Sequence, residues 1–336
     1  MNLKKLKIEL YATRDFGKKL SDVMEFVRVN WRALLKYETY FLLPICVVLA
    51  FFSNRFIGDY FGLITTIERM GAMGVGAMGV GASGWVSMAV NMLGTVVFYM
   101  IGYVALSAVV FTILHLYFFR DQDSSYITFE DMKAHLGFFA KRFLVLMLVS
   151  VLIGIAVIAV IGIAAGIIFA ITGGFLQTAG FLILAYFLLI IIAVVVGVPL
   201  MLVMPIYMLE PQITVIGAYR KALRLGFATW IGVFGVTFVI GLIASILQSF
   251  TMAPWYVMIF VKQFFTLANH GEAGFTGTFV YDFFLYLFCI VQCFGSFIAS
   301  MFTIVGTTIQ YGHAADKIDG QGVAQHIEQF DNFDNL

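Results

Sequence analysis

The chain has 336 residues, 62% of them hydrophobic and 12% charged, with a mean hydropathy of +0.98 and a net charge of +1. A soluble domain is about 45–50% apolar and about 25% charged, so lipid must cover part of this surface. The near-zero charge excludes the concentrated basic face that nucleic acid requires, and three cysteines inside apolar runs (Cys46, Cys289, Cys293) make no disulfide framework.

The chain opens on a basic segment, 1–37, with nine Lys or Arg and no apolar run leading to a small-residue cleavage site, so no signal peptide is predicted. A spanning helix needs about 20 mostly apolar residues. Six are predicted, at 38–57, 93–118, 143–170, 180–206, 228–249 and 279–310, within a membrane domain 38–311. A glycine-rich outer loop, 58–92, separates the first two, and 312–336 forms a tail. The apolar stretch 255–265 is too short to cross and reads as an interfacial or re-entrant helix. Seventeen Lys or Arg fall on the side of the termini against three (Arg55, Arg69, Lys262) on the other, which predicts both ends in the cytoplasm. Trp31 and Trp230 then lie near the inner interface and Trp85 and Trp255 near the outer one, as in an aromatic belt.

Three amphipathic segments, 16–31, 128–143 and 214–230, each precede an odd-numbered span. The second has Phe129, Met132, Leu136 and Phe139 on one face and opens on Thr128-x-x-Asp131, a capping box; Asp22-x-x-Glu25 is a weaker version in the first. The expected fold is therefore an all-α integral membrane protein with about six transmembrane helices, three cytoplasmic amphipathic interfacial helices and a pseudo-threefold repeat.

The run Pro205-Ile-Tyr-Met-Leu-Glu-Pro-Gln-Ile-Thr-Val-Ile-Gly-Ala-Tyr-Arg-Lys-Ala-Leu-Arg-Leu and the ending Ile309-Gln-Tyr-Gly-His-Ala-Ala-Asp-Lys317 resemble a broad group of bacterial six-span proteins. That group is similar to the membrane domain attached to some glycerophosphodiester phosphodiesterases. The resemblance implies the six-span architecture. The soluble phosphodiesterase barrel is absent from this chain, so it implies no catalytic activity and no catalytic residues.

Candidate chemistry is sparse. The loop 71–84 holds Gly-Ala-Met-Gly-Val twice and matches G-x-G-x-x-G, but no strand precedes it and no βαβ unit surrounds it, so nucleotide binding is set aside in favour of a flexible loop. Gly162 and Gly166 form a small-xxx-small pair that lets a neighbouring helix approach. Pro199 and Pro205 each remove a backbone donor in the fourth span and predict a bend or hinge. His115, Asp282 and Gln292 are the main polar groups in or near spans, Cys289 and Cys293 read as small apolar filler, and the five histidines are scattered. No cofactor or metal site is predicted. The basic residues Arg220, Lys221, Arg224, Lys133, Lys141 and Arg142 form a collar expected either to attract anionic lipid or only to enforce orientation. The expected function is a non-enzymatic multi-pass protein of a bacterial inner membrane, a scaffold or accessory component binding membrane lipids or another membrane protein. The alternatives are a transporter or channel for a small or amphiphilic molecule, which repeats and broken helices favour, and an enzyme acting at the membrane surface.

Overall fold

The computed structural model describes residues 8–72, 82–119, 127–172, 179–268 and 274–324. In chain order the helices are α1 (Phe16–Ala72), α2 (Ala82–Phe119), α3 (Phe129–Thr172), α4 (Ala179–Leu200), α5 (Val203–Leu209), α6 (Val215–Ala228), α7 (Trp230–Ala268) and α8 (Phe279–Asp319), with a short 3₁₀ turn at Gly274–Gly277 before α8. The described residues contain no strand. Six helical stretches, in α1, α2, α3, α4 with α5, α7 and α8, are long and apolar enough to cross a membrane.

Several helices outrun their predicted spans. The amphipathic segments 16–31 and 128–143 are not separate helices: they continue into the apolar stretches as α1 and α3. Good helix formers such as Ala33, Leu34 and Ala140 sit at these junctions with no glycine or proline to interrupt them. Only the third segment stands apart, as α6, because the chain turns at Thr229, whose N–H (3.1 Å) and Oγ1 (2.8 Å) both donate to the Leu225 carbonyl. The three segments thus take two forms.

The Thr128–Asp131 capping box forms reciprocally: Thr128 N–H and Oγ1–H donate to Asp131 Oδ2 at 3.1 and 2.6 Å, and Asp131 N–H donates back at 3.3 Å. Asp22 lies inside α1 and caps nothing; it accepts from Arg14 Nε at 2.6 Å. The stretch 255–265 is neither re-entrant nor a separate interfacial helix but part of α7, which passes through Pro254. One missing donor does not end a helix whose neighbours are apolar helix formers. Of the predicted outer loop, 58–72 continues α1 and 82–92 begins α2, while 73–81, with most of the glycine repeat, lie outside the described residues. α8 runs past its predicted end to Asp319 and stops at Gly320, whose φ of +64° is the left-handed conformation that favours glycine after a helix.

The chain divides into two units. The first comprises Met1–Asn30, Val110–Ile240 and Ile304–Leu336. Its core includes Val23, Phe26, Phe111, Leu114, Met132, Leu202, Ile206, Ala218, Ala222, Leu225, Val236 and Tyr311, all fully buried. Here α4 ends in a corner at Met201–Leu202 before α5 begins. Pro199 cannot donate to the Val195 carbonyl, and the Trp230 indole takes that carbonyl instead, at 3.1 Å. Pro205 sits in the first turn of α5, where its N–H would have no helical partner. α6 packs on α4 so closely that a Cβ on Gly226 would lie 2.5 Å from Pro199 Cα.

Beyond this core, α3 and α4 are apolar on every side. Residues 151–164, Gly154 excepted, and 186–196 are consecutively exposed, which covers all faces of each helix. A Cβ on Gly162 or Gly166 would meet nothing within 4 Å, so among the described residues no neighbouring helix lies against either glycine.

The second unit, Trp31–Val109 and Gly241–Thr303, joins parts of α1, α2, α7 and α8 around Leu42, Cys46, Leu49, Leu106, Cys289 and Phe297. Polar pins tie its helices together. Trp255 Nε1–H donates to Asn54 Oδ1 at 2.8 Å, Tyr286 O–H donates to the Val47 carbonyl at 2.6 Å, and Asp59 accepts from Ser87 and Asn91 at 2.8 Å each.

Candidate functional site

The polar residues that sequence reasoning singles out in the second unit are occupied structurally. Asp282 pairs with Lys262 at 2.7 Å, and Gln292 Oε1 accepts from the Cys293 thiol at 3.4 Å. Cys289 and Cys293 are free and buried. Glu38, 1% exposed and with Oε1 unpartnered, escapes sequence reasoning because it marks a span boundary there. In the first unit His115 packs at a tilt against His135 and Phe139, with ring centroids 5.3 and 5.8 Å away. Among the described residues no three His, Cys, Asp or Glu side chains converge as a metal site would require.

The first unit concentrates its charge in two adjoining places. The first is built on the turn after α5, whose terminal carbonyls need donors. Arg142, from α3, supplies them: Nε donates to the Tyr207 carbonyl at 3.0 Å, Nη2 to Glu210 at 3.0 Å and Nη1 to Pro211 at 2.8 Å, while the guanidinium lies 4.1 Å from the Tyr207 ring centroid. The Glu210 carboxylate accepts from Lys221 Nζ at 2.6 Å and from the Tyr311 hydroxyl. Lys221 also lies 3.7 Å from Asp319, and Arg224 binds Asp319 at 2.7 Å. Tyr11 meets Tyr311 edge-on at 6.1 Å. Burial pushes the Tyr11 phenol above its ordinary range, the bond to Tyr311 works the other way, and the Glu210 charge adds to the rise.

Half of the predicted collar is therefore engaged by the protein's own groups: Arg142 and Lys221 hold the turn, and Arg224, itself exposed, holds the end of α8. Lys133, Lys141 and Arg220 remain exposed, with no ion-pair partner among the described residues.

The second place is a pocket of about 420 Å³ lined by Lys19, His313, Lys317 and residues 227–232, at the start of α7. The N-terminal segment builds one wall. The Leu10 carbonyl rests on Gly312, where any side chain would collide with it, and this close approach brings the Arg14 N–H to His313 Nδ1 at 3.0 Å. Nδ1 is thus an acceptor, which leaves Nε2 as the ring's donor. Arg14 is held in turn by Asp22 and by the carbonyls of Glu9, Leu10 and Ala12. Lys19 is only 4% exposed, and a Cβ on Gly232 would stand 3.4 Å from its Nζ and 3.2 Å from Gln310 Nε2.

Sequence reasoning missed this pocket. Its only local signal is the four-residue spacing of His313 and Lys317, which puts both on one face of α8; Lys19 arrives from nearly three hundred residues away.

No protein family, characterised protein or solved structure matches the chain.

Proposed function

We propose that this chain is a non-enzymatic multi-pass protein of a bacterial inner membrane, with both termini cytoplasmic, whose basic end associates with anionic lipid. One observation carries the reading. On the single helix α3 the exposed Lys141 is followed by exposed Leu144, Val145 and Leu148 and then by apolar residues exposed on every face. A continuous helix rises about 1.5 Å per residue, so Lys141 lies only about 4.5 Å along the axis from surface that requires hydrocarbon. Immersing that surface places Lys141, with Lys133 farther out, at headgroup depth. Arg220, on the exposed face of α6, adds a third unpaired cation. The excess of Lys and Arg on the side of the termini supports a cytoplasmic position for this end. The group resemblance fits the same reading through architecture alone, with lipid or a second membrane protein covering α3 and α4.

Each basic side chain near an anionic surface contributes about 1 kcal/mol, screened by salt. The test replaces Lys133, Lys141 and Arg220 with Gln together and measures anionic lipid copurifying in mild detergent at low and high salt. The expected result is a salt-sensitive loss of anionic lipid. Unchanged lipid at low salt, with insertion intact, would reduce these residues to an orientation signal. Replacing Lys221 and Arg224 would not test the idea, because both hold carboxylates of the protein itself.

A further inference from the structure

The pocket at the start of α7 has more positive potential than the protein uses. Lys19 is buried without a carboxylate partner or side-chain hydrogen bond among the described residues. A buried ammonium in that position is costly unless an anion joins it. Lys317, which also lines the cavity, has no ion-pair partner among the described residues either. The nearby Asp316 is engaged by the Gly322 N–H at 3.0 Å. Gln310 is 1% exposed, and both its amide nitrogen and its amide oxygen lack partners; its Nε2 reaches the same Gly232 wall that Lys19 reaches. Lys19 and Lys317 therefore face one cavity, and the unsatisfied Gln310 amide is buried beside its Gly232 wall. The cavity also receives the first turn of a 39-residue helix, whose leading N–H groups carry the positive end of the helix dipole. At about 420 Å³ it falls within the roughly 300–1,000 Å³ of small-molecule sites.

We propose that this pocket binds a phosphate group, held by Lys19, Lys317, His313 Nε2–H and the first backbone N–H groups of α7. The tetrahedral oxyanion matches a convergent set of donors. Phe227 and Ile231, 50% and 83% exposed, give the mouth an apolar rim suited to the rest of an amphiphile. The inference rests on the reading above only in placing this end among lipid headgroups. The phosphate belongs either to an anionic lipid or to a free solute, and the experiment separates the two.

The full chain in mild detergent is titrated with inorganic phosphate by calorimetry, and is mixed with phosphatidylglycerol or phosphatidylcholine for native mass spectrometry. The variants are Lys19→Gln with Lys317→Gln, Lys19→Arg, and Gly232→Ala, which keeps both lysines but places a methyl between Lys19 and Gln310. The expected result is saturable binding that falls about fivefold for each lysine removed, weakens in Gly232→Ala and survives in Lys19→Arg. Saturable binding of phosphatidylglycerol without inorganic phosphate identifies lipid as the source; the reverse identifies a free solute. Absence of saturable binding of either by the wild type overturns the proposal, as does wild-type affinity in the double lysine variant. The Lys133, Lys141 and Arg220 triple variant keeps the pocket. If it loses bulk anionic lipid while the pocket variants bind normally, the pocket fails and the surface reading stands. If the pocket variants lose binding while the triple variant keeps its bulk lipid, the pocket stands and the surface reading fails.

Discussion

Gly226→Ala tests the packing that shapes the basic end. The added methyl would lie 2.5 Å from Pro199 Cα, 2.6 Å from its Cβ and 3.1 Å from its carbonyl oxygen. These neighbours are backbone and a rigid ring, so no side-chain rotation relieves them, and α4 and α6 must separate. Overpacking of this kind costs about 1–3 kcal/mol, here toward the upper end, while alanine recovers about 1 kcal/mol of helix propensity relative to glycine. The net loss is about 1–2 kcal/mol. At about 2–4 °C per kcal/mol for a chain of a few hundred residues, the apparent Tm should fall by about 2–8 °C. Gly162→Ala and Gly166→Ala serve as controls on the same fold: a methyl at either meets nothing within 4 Å, so melting should hold or rise slightly. The assay is thermal unfolding in one detergent, followed by tryptophan fluorescence. Wild-type melting of Gly226→Ala would refute the close packing of α4 on α6, and an equal loss in Gly162→Ala would refute the open surroundings of that glycine.

Arg142→Gln should destabilise by about 1.5–3 kcal/mol, since charge-assisted bonds to three carbonyls disappear; a melt unchanged from wild type would show that the turn after α5 satisfies itself. Asp131→Ala removes the carboxylate half of the Thr128 capping box, leaving the residue-131 N–H on Thr128 Oγ1, and should cost about 1 kcal/mol, read as faster amide exchange confined to the first turn of α3.

Much of the helical content was legible because hydrophobic length is a local property. A run such as 143–170 announces a helix that must satisfy its own backbone, whatever it touches. The Thr128–Asp131 cap was legible for the same reason, its donors and acceptors lying within one turn. Helix ends were less so. The stretch 255–265 looked detached because its apolar run alone is too short to cross, whereas α7 runs into it unbroken through Pro254 and tolerates one missing donor. The corner after Pro199 was legible as a bend, but not its bracing, since the Trp230 indole that occupies the Val195 carbonyl comes from another helix.

Charge shows the division most sharply. By itself the sequence determined that six long apolar stretches exist and that basic residues crowd one side of them, because hydropathy and charge count need no partner. It could not determine which cations remain available. Lys221 and Arg220 are adjacent in the chain, yet one meets Glu210 and the other faces outward. Lys19 and Lys317 face a common cavity though most of the chain separates them. Only the tertiary structure decides this, because Coulomb attraction and desolvation depend on distance and burial in space, and those are fixed when the helix ends pack together.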